Sequence, residues 1–187
     1  GQALVTVEGN GMLGVPGVAA RTFAALHRER ISVSLITQAS SEHSICFCVP
    51  AASAERARIC LAEAFRDEIT HHEIDGVSVR PGVATIAVVG LGMAGTPGVA
   101  RRVFSALADQ GINVIAIAQG SSELNISAVV DESRAQDAQR IIHGAFQLGK
   151  VGGGTVTPRD RLDVFVLGFG RIGRSFTELV TELPANG

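Results

Sequence analysis

The chain has 187 residues, 46% of them hydrophobic, with a mean hydropathy of +0.29, which is ample for one large or two small packed domains. A formal net charge of −2 with scattered Lys and Arg, and no Trp or Tyr to stack on bases, argues against a nucleic-acid partner. No apolar run is long and uncharged enough to span a bilayer. Three Cys without metal-ligand spacing or a secretory leader predict a cytoplasmic protein with no metal site.

From the N-terminus, Ala3 to Glu8 reads as a short strand and runs into "VEGNGMLGVPGVAAR", in which Gly9, Gly11 and Gly14 spell GxGxxG. Pro16 has the preset φ and missing N–H that suit a first helical position, and Val18, Phe23 and Leu26 then recur at near-helical spacing. "ISVSLIT" is a β-branched strand ending at Gln38, followed by a Ser-Ser-Glu turn and a second strand, "SICFCV". Ser53 stands where it can cap a helix carrying Ala57, Leu61, Ala64 and Phe65, and Gly76 to Arg80 reads as a closing strand.

The same order then repeats. A shift of 81 positions lays "GNGMLGVPGVAARTFAALHRERISVSLITQASSEHSI" on "GLGMAGTPGVARRVFSALADQGINVIAIAQGSSELNI", with about half the aligned positions identical. Copy two has its glycines at Gly90, Gly92 and Gly95, its Pro at Pro97, its helical face at Val99, Phe104 and Leu107, and an αL-capping glycine at Gly111. Its hairpin is "INVIAIA" and "NISAVV", and Asp131 precedes a helix carrying Ala138, Ile141, Ile142 and Phe146. Each copy is therefore a β-α-β-β-α-β unit, an α+β fold with an antiparallel sheet and two helices on one face. The expected divisions are 1–81 and 82–150 for the units, 151–161 for a Gly-rich linker, and 162–187 for the truncated start of a dinucleotide-binding domain.

A dinucleotide site needs a helix that opens inside the glycine run and an acid about 20 residues on for the ribose. In both copies the Pro would fall inside that opening helix, at a cost of about 3 kcal/mol, and the position of the acid is taken by Gln38 or Gln119. The loops instead deliver a helix N-terminus whose N–H groups favour a small anion such as a carboxylate. Carboxylate capture is expected at Gly14, Val15, Pro16 and Gly17 in copy one, and at Gly95, Thr96, Pro97 and Gly98 in copy two. The first and second strands run the same way, so each loop shares a sheet edge with its Gln, about 10 Å away across two strand spacings. A Gln offers an acceptor oxygen and two N–H donors, so it can read an ammonium or a hydroxyl. For a single copy, a plain turn with a hairpin-satisfying Gln would be the simpler account. Matching Gly, Pro, Gly and Gln in both copies favours a repeated site.

The third glycine motif differs. "RLDVFVLGFGRIGRSFTELVTEL" is strand, glycine run (Gly168, Gly170, Gly173) and uninterrupted helix, the opening βα unit of a Rossmann domain. The chain stops before the ribose acid, so the expected nicotinamide site is incomplete, and Asp163 to Leu167 has an alternative use as the closing strand of copy two. His71 and His72 are adjacent, which is poor chelating geometry. Glu42 and Glu123 lie in equivalent hairpin turns, with no nucleophile or base beside them, so no catalytic residue is expected.

"SVSLITQASSEHSICFCVP" and "NVIAIAQGSSELNISAVV", each preceded by "GMxGxPGVAxR", resemble the paired ACT domains of bifunctional aspartate kinase/homoserine dehydrogenase, and "VFVLGFGRIGRS" resembles the start of its dehydrogenase domain. That resemblance covers nearly the whole chain. It implies a regulatory region between two catalytic domains that use ATP with Mg and NAD(P), none of which this segment would hold. It implies L-threonine as effector, with Gln38 and Gln119 at the effector-binding glutamines. L-lysine is the alternative and would need an acid near them, for which Glu42 and Glu123 are placed. A ligand-free pairing module is the other alternative. The strand "INVIAIA" is apolar on both faces while helices cover one, so a homodimer or higher oligomer is expected. Arg30, where copy two has Gly111, departs from the repeat.

Overall fold

The computed structural model describes residues 1–9, 12, 16–38, 43–146 and 165–168, with Leu91 and the last four as backbone only. The chain divides into two compact units, Gly1–Val83 and Ala84–Gly187. Each carries the order that the repeat predicts.

In the first unit, β1 (Gln2–Glu8) leads to α1 (Val18–Arg28), β2 (Leu35–Gln38), β3 (Ser44–Pro50), α2 (Ala54–Ala64), the short α3 (Arg66–Thr70) and the first part of β4 (Gly76–Val89). The strands lie in the order β2-β3-β1-β4, every neighbouring pair antiparallel. Because β1 and β2 both oppose β3, they run parallel to each other, and their C-terminal ends share one edge. Alternation places Ala3, Val5 and Val7 of β1 and Ile45, Phe47 and Val49 of β3 in one core with Ala25 and Leu26 of α1 and Ala57 and Leu61 of α2. Phe65, fully buried, closes the bottom of that core.

The second unit opens on the rest of β4 and continues with α4 (Val99–Ala108), β5 (Ala116–Gln119), β6 (Asn125–Asp131), α5 (Ala135–Ala145) and β7 (Phe165–Gly168), in the sheet order β5-β6-β4-β7. Its core repeats the first: Ile86 and Val88, then Val103 and Leu107, then Ile126 and Val130, then Ala138 and Ile142. β7 pairs antiparallel with β4, Ile86 opposite Gly168 and Val89 opposite Phe165. It occupies the place in this unit that Gly76–Val83 occupies in the first, which is the alternative use of Asp163 to Leu167. The Rossmann reading beyond Gly168, with Gly170 and Gly173, lies outside the described residues.

Three local expectations are corrected. Pro16 and Pro97 do not open their helices; Gly17 and Gly98 follow them as N-caps at φ 90°, ψ 0° and φ 87°, ψ 0°. Those angles belong to the third residue of a type II turn, which favours Pro-Gly, so the Pro sets the turn and the helix begins one residue after the glycine. Ser53 makes no side-chain cap; a 3-10 turn over Ala51–Ser53 precedes α2. Asp131 does cap, but at the matching 3-10 turn, where its carboxylate accepts from the Ser133 N–H at 3.0 Å. Finally, β2 and β5 begin four residues after Ile31 and Ile112. Those isoleucines belong to the preceding helix ends, where Ile31 N–H donates to Leu26 O and Ile112 N–H to Leu107 O in Schellman closures.

Candidate functional site

The two glycine loops are built alike from the inside out. Met12 and Met93, 81 positions apart and each 3% exposed, insert into the two cores and anchor the loops. Their N–H groups donate back to Gly9 O and Gly90 O, both at 3.2 Å. The start of each loop is also tied to the facing hairpin: Gly9 N–H donates to His43 O at 3.0 Å, and Gly90 N–H to Leu124 O at 3.1 Å. Gly9 is a packing glycine, since a Cβ there would stand 2.5 Å from Ile74 Cα and 2.7 Å from Glu73 O. The first glycine of the motif therefore serves the fold.

From this anchor each loop rises to its Pro-Gly turn and the helix behind it. Gly17 and Gly98 present αL backbone that only glycine takes without strain, and their carbonyls accept the first helical N–H bonds, from Arg21 at 2.9 Å and Arg102 at 3.0 Å. Neither helix start has a side-chain cap, and neither has an acidic residue in its first turn. The other described α-helices all carry acid there: Glu55 in α2, Asp67 and Glu68 in α3, Asp137 in α5. The positive ends of α1 and α4 are thus left without the compensation that a helix of this size ordinarily receives.

Gln38 and Gln119 close β2 and β5, the edge strands, and both are exposed. Gln38 pairs with Ile45 and Gln119 with Ile126, and both isoleucines belong to the cores beneath the helices. Directly paired residues share a face, so each Gln stands on the helix-covered face, at the edge where the glycine loop ends. Two residues back on the same face are Ile36 and Ile117, 50% and 44% exposed. By strand order, each unit therefore places along one edge of its sheet, on the helix-covered face and one strand apart, an uncompensated helix start, an amide side chain and an exposed aliphatic one. This edge is the corner of the unit. Pro16, Gly17 and Gln38 are at this corner in the first unit, and Gly95, Thr96, Pro97, Gly98 and Gln119 in the second. Gly14 and Val15 lie outside the described residues, as does Glu42.

The sequence offers Glu123 only as a potential acid for lysine. In the structure its carboxylate reaches across to the glycine loop and accepts from the Gly95 N–H at 2.7 Å. Thr96, exposed, turns back on its own loop, its hydroxyl donating to Gly92 O at 2.7 Å. The loop anchors at Met12 and Met93 are not evident from hydrophobic periodicity, although a methionine matched in both copies, in a chain that has only two, is the available signal. No group of three His, Cys, Asp or Glu that could hold a metal ion occurs among the described residues. Among them, too, no helix is long and apolar enough to cross a membrane.

Two βαββαβ units in tandem, each with a glycine-loop corner, define a class of paired α+β domains. The ACT domain family matches residues 5–65 and 86–146, and the chain belongs to that family. The regulatory subunit of aspartate kinase from Thermus thermophilus, in its ligand-free form, is 31% identical with a TM-score of 0.62, over 77% of this chain and 92% of that one. The bifunctional aspartokinase/homoserine dehydrogenase of Haemophilus influenzae is 44% identical over 179 residues, 95% of this chain and 21% of that protein. The aspartokinase of Thermus thermophilus is 35% identical over 149 residues, 75% of this chain and 35% of that protein. The chain thus spans about a fifth to a third of the length of these curated relatives.

Proposed function

We propose that this chain is the amino-acid-sensing regulatory region of a bifunctional aspartokinase/homoserine dehydrogenase, and that its effector is L-threonine. The observation that carries the reading is the repeated corner. An α-helix start with neither cap nor acid is suited to an effector's carboxylate, and a Gln on the same face and edge is suited to its hydroxyl. Threonine has both groups and a methyl that Ile36 and Ile117 can meet. A site that hydrogen-bonds a hydroxyl rejects valine, because its polar groups would be left unpaired.

Lysine is the alternative. Its side-chain ammonium calls for an acid, and in the second unit Glu123, which accepts from the Gly95 N–H, is the described carboxylate on the hairpin, so lysine is titrated beside threonine. A bifunctional parent is supported by the extent of similarity. An alignment over 95% of the chain must include most of residues 162–187, whereas one over 75% need not pass the second unit. In this reading β7 closes the second unit and the dehydrogenase domain begins beyond it, with Gly170 and Gly173 near the start of its NAD(P) site. ATP with Mg belongs to the kinase domain. The chain associates as a homodimer or higher oligomer, in the cytoplasm or, as the names of plant relatives have it, the chloroplast. Threonine then controls distant active sites by favouring one of two conformations; a coupling of about 1 to 3 kcal/mol suffices.

Calorimetric titration of the chain with L-threonine, L-valine and L-lysine tests this, repeated on Gln38→Ala and Gln119→Ala. Heat with threonine alone, with each substitution removing one class of site, is the expected result. Undiminished threonine binding in both variants would refute the assignment of the glutamines.

A further inference from the structure

The contact between Glu123 and Gly95 has no part in the activity just described, yet it sits on the loop that the effector must use. We propose that Glu123 is a built-in latch: its carboxylate occupies the Gly95 amide in the ligand-free second unit, and an effector's carboxylate has to displace it. This rests on the reading of the glycine loop as the carboxylate-capturing part of an effector site.

Two ties join the loop to the β5–β6 hairpin. One is the backbone bond from Gly90 N–H to Leu124 O, which has its counterpart between Gly9 and His43 in the first unit. The other is the side-chain bond from Gly95 N–H to Glu123 Oε2, and it can open without disturbing any backbone pairing. Glu123 is held for the task by its own turn, at φ 56°, with its N–H donating to Gly120 O at 3.1 Å. It stands four residues past Gln119 on the same hairpin. A carboxylate tethered this way presents itself to the loop at an effective concentration of about millimolar or higher, so a free carboxylate competes against it. The group that leaves is chemically equivalent to the group that arrives, a carboxylate for a carboxylate on one N–H donor. Displacement frees the hairpin carrying Gln119 from the loop at one of its two ties, which couples occupancy of the corner to movement of the edge strand.

The test uses the isotope-labelled 187-residue chain, with amide hydrogen exchange at Gly95 and calorimetric titration with L-threonine, on wild type, Glu123→Ala and Glu123→Gln. In the ligand-free Ala variant the Gly95 amide should exchange faster. One class of threonine site should tighten by about three- to tenfold, the range for loss of one net hydrogen bond. The Gln variant, which keeps a neutral acceptor, should fall between. Adding Gln119→Ala to Glu123→Ala should abolish the tightened site and so place it in the second unit. An unchanged Gly95 amide, or a threonine affinity that stays equal or falls in Glu123→Ala, overturns the latch while wild-type binding leaves the effector reading intact. Absence of threonine binding in every variant removes the effector reading itself, and the latch with it.

Discussion

The guanidinium of Arg21 lies over the ring of Phe65, its Cζ 4.7 Å from the centroid, and the same pair recurs as Arg102 over Phe146 at 5.2 Å. Arg21 joins α1 to the end of α2 and to α3, since its Nη2 donates to Ala64 O at 2.6 Å and its Nη1 pairs with Glu68. These contacts tie the helix behind the first glycine loop to the far side of the helical layer. Cation–π contact and the charge-assisted bonds, discounted because Arg21 is half exposed, contribute about 1 to 2 kcal/mol together. Arg21→Ala should lower the urea-unfolding free energy by that amount, and Arg102→Ala by less. Equal, negligible losses would show that both contacts are ornamental to stability.

Acid should weaken this staple in a definite window. The hydrogen bond from Arg21, first, and a backbone hydrogen bond, second, hold the Glu68 carboxyl below its ordinary range. A depressed folded value means that the stabilisation is fully present above the unfolded value, about 4.3, and is lost as pH falls through the folded one. Wild type should therefore lose more stability than Glu68→Gln between about pH 5 and pH 3. Parallel pH profiles for the two would contradict this assignment.

The departure at Arg30 has a measurable consequence. Arg30 and Gly111 are the equivalent C′ residues of two Schellman closures, with N–H bonds to His27 O and Ala108 O, and both hold positive φ, 53° and 64°. A non-glycine residue there carries strain of about 1 kcal/mol. Arg30→Gly should raise the stability of the first unit by about that much and Gly111→Ala should lower that of the second. Thermal melts of the two variants check both signs.

Gly9 separates the packing account of the first glycine from a ligand account. A Cβ at 2.5 Å from Ile74 Cα forces backbone to move, so Gly9→Ala should destabilise by about 2 kcal/mol or more. Gly17→Ala meets no atom within 4 Å but must take φ 90°, so its cost should be smaller and should fall on the shape of the helix start. A neutral Gly9→Ala would mean that the loop base is looser than described.

Much of this architecture is legible in the duplication alone, because a repeat exposes which positions must agree. Gly17, Gly98, Gln38 and Gln119 stand out for that reason. Other features are masked by patterns with two physical readings. Pro16-Gly17 fits a helix start and a type II turn equally, and only the glycine's positive φ decides. Ile31 continues an apolar alternation into "ISVSLIT", yet its N–H closes a helix. Residues 165–168 are apolar and β-prone whether they close the second unit or open a further domain, so only strand pairing distinguishes them. The approach of Glu123 to Gly95 spans 28 positions, and no local periodicity reports a contact between a hairpin turn and a loop.

If the paired corners read a small hydroxylated amino acid, a thermal melt of the chain against rising L-threonine and L-valine will separate the two ligands. At about 100 times its dissociation constant, threonine should stabilise by about 2.7 kcal/mol per site, raising the midpoint, while valine leaves it unchanged. Equal shifts with both amino acids, or none with either, would contradict that reading.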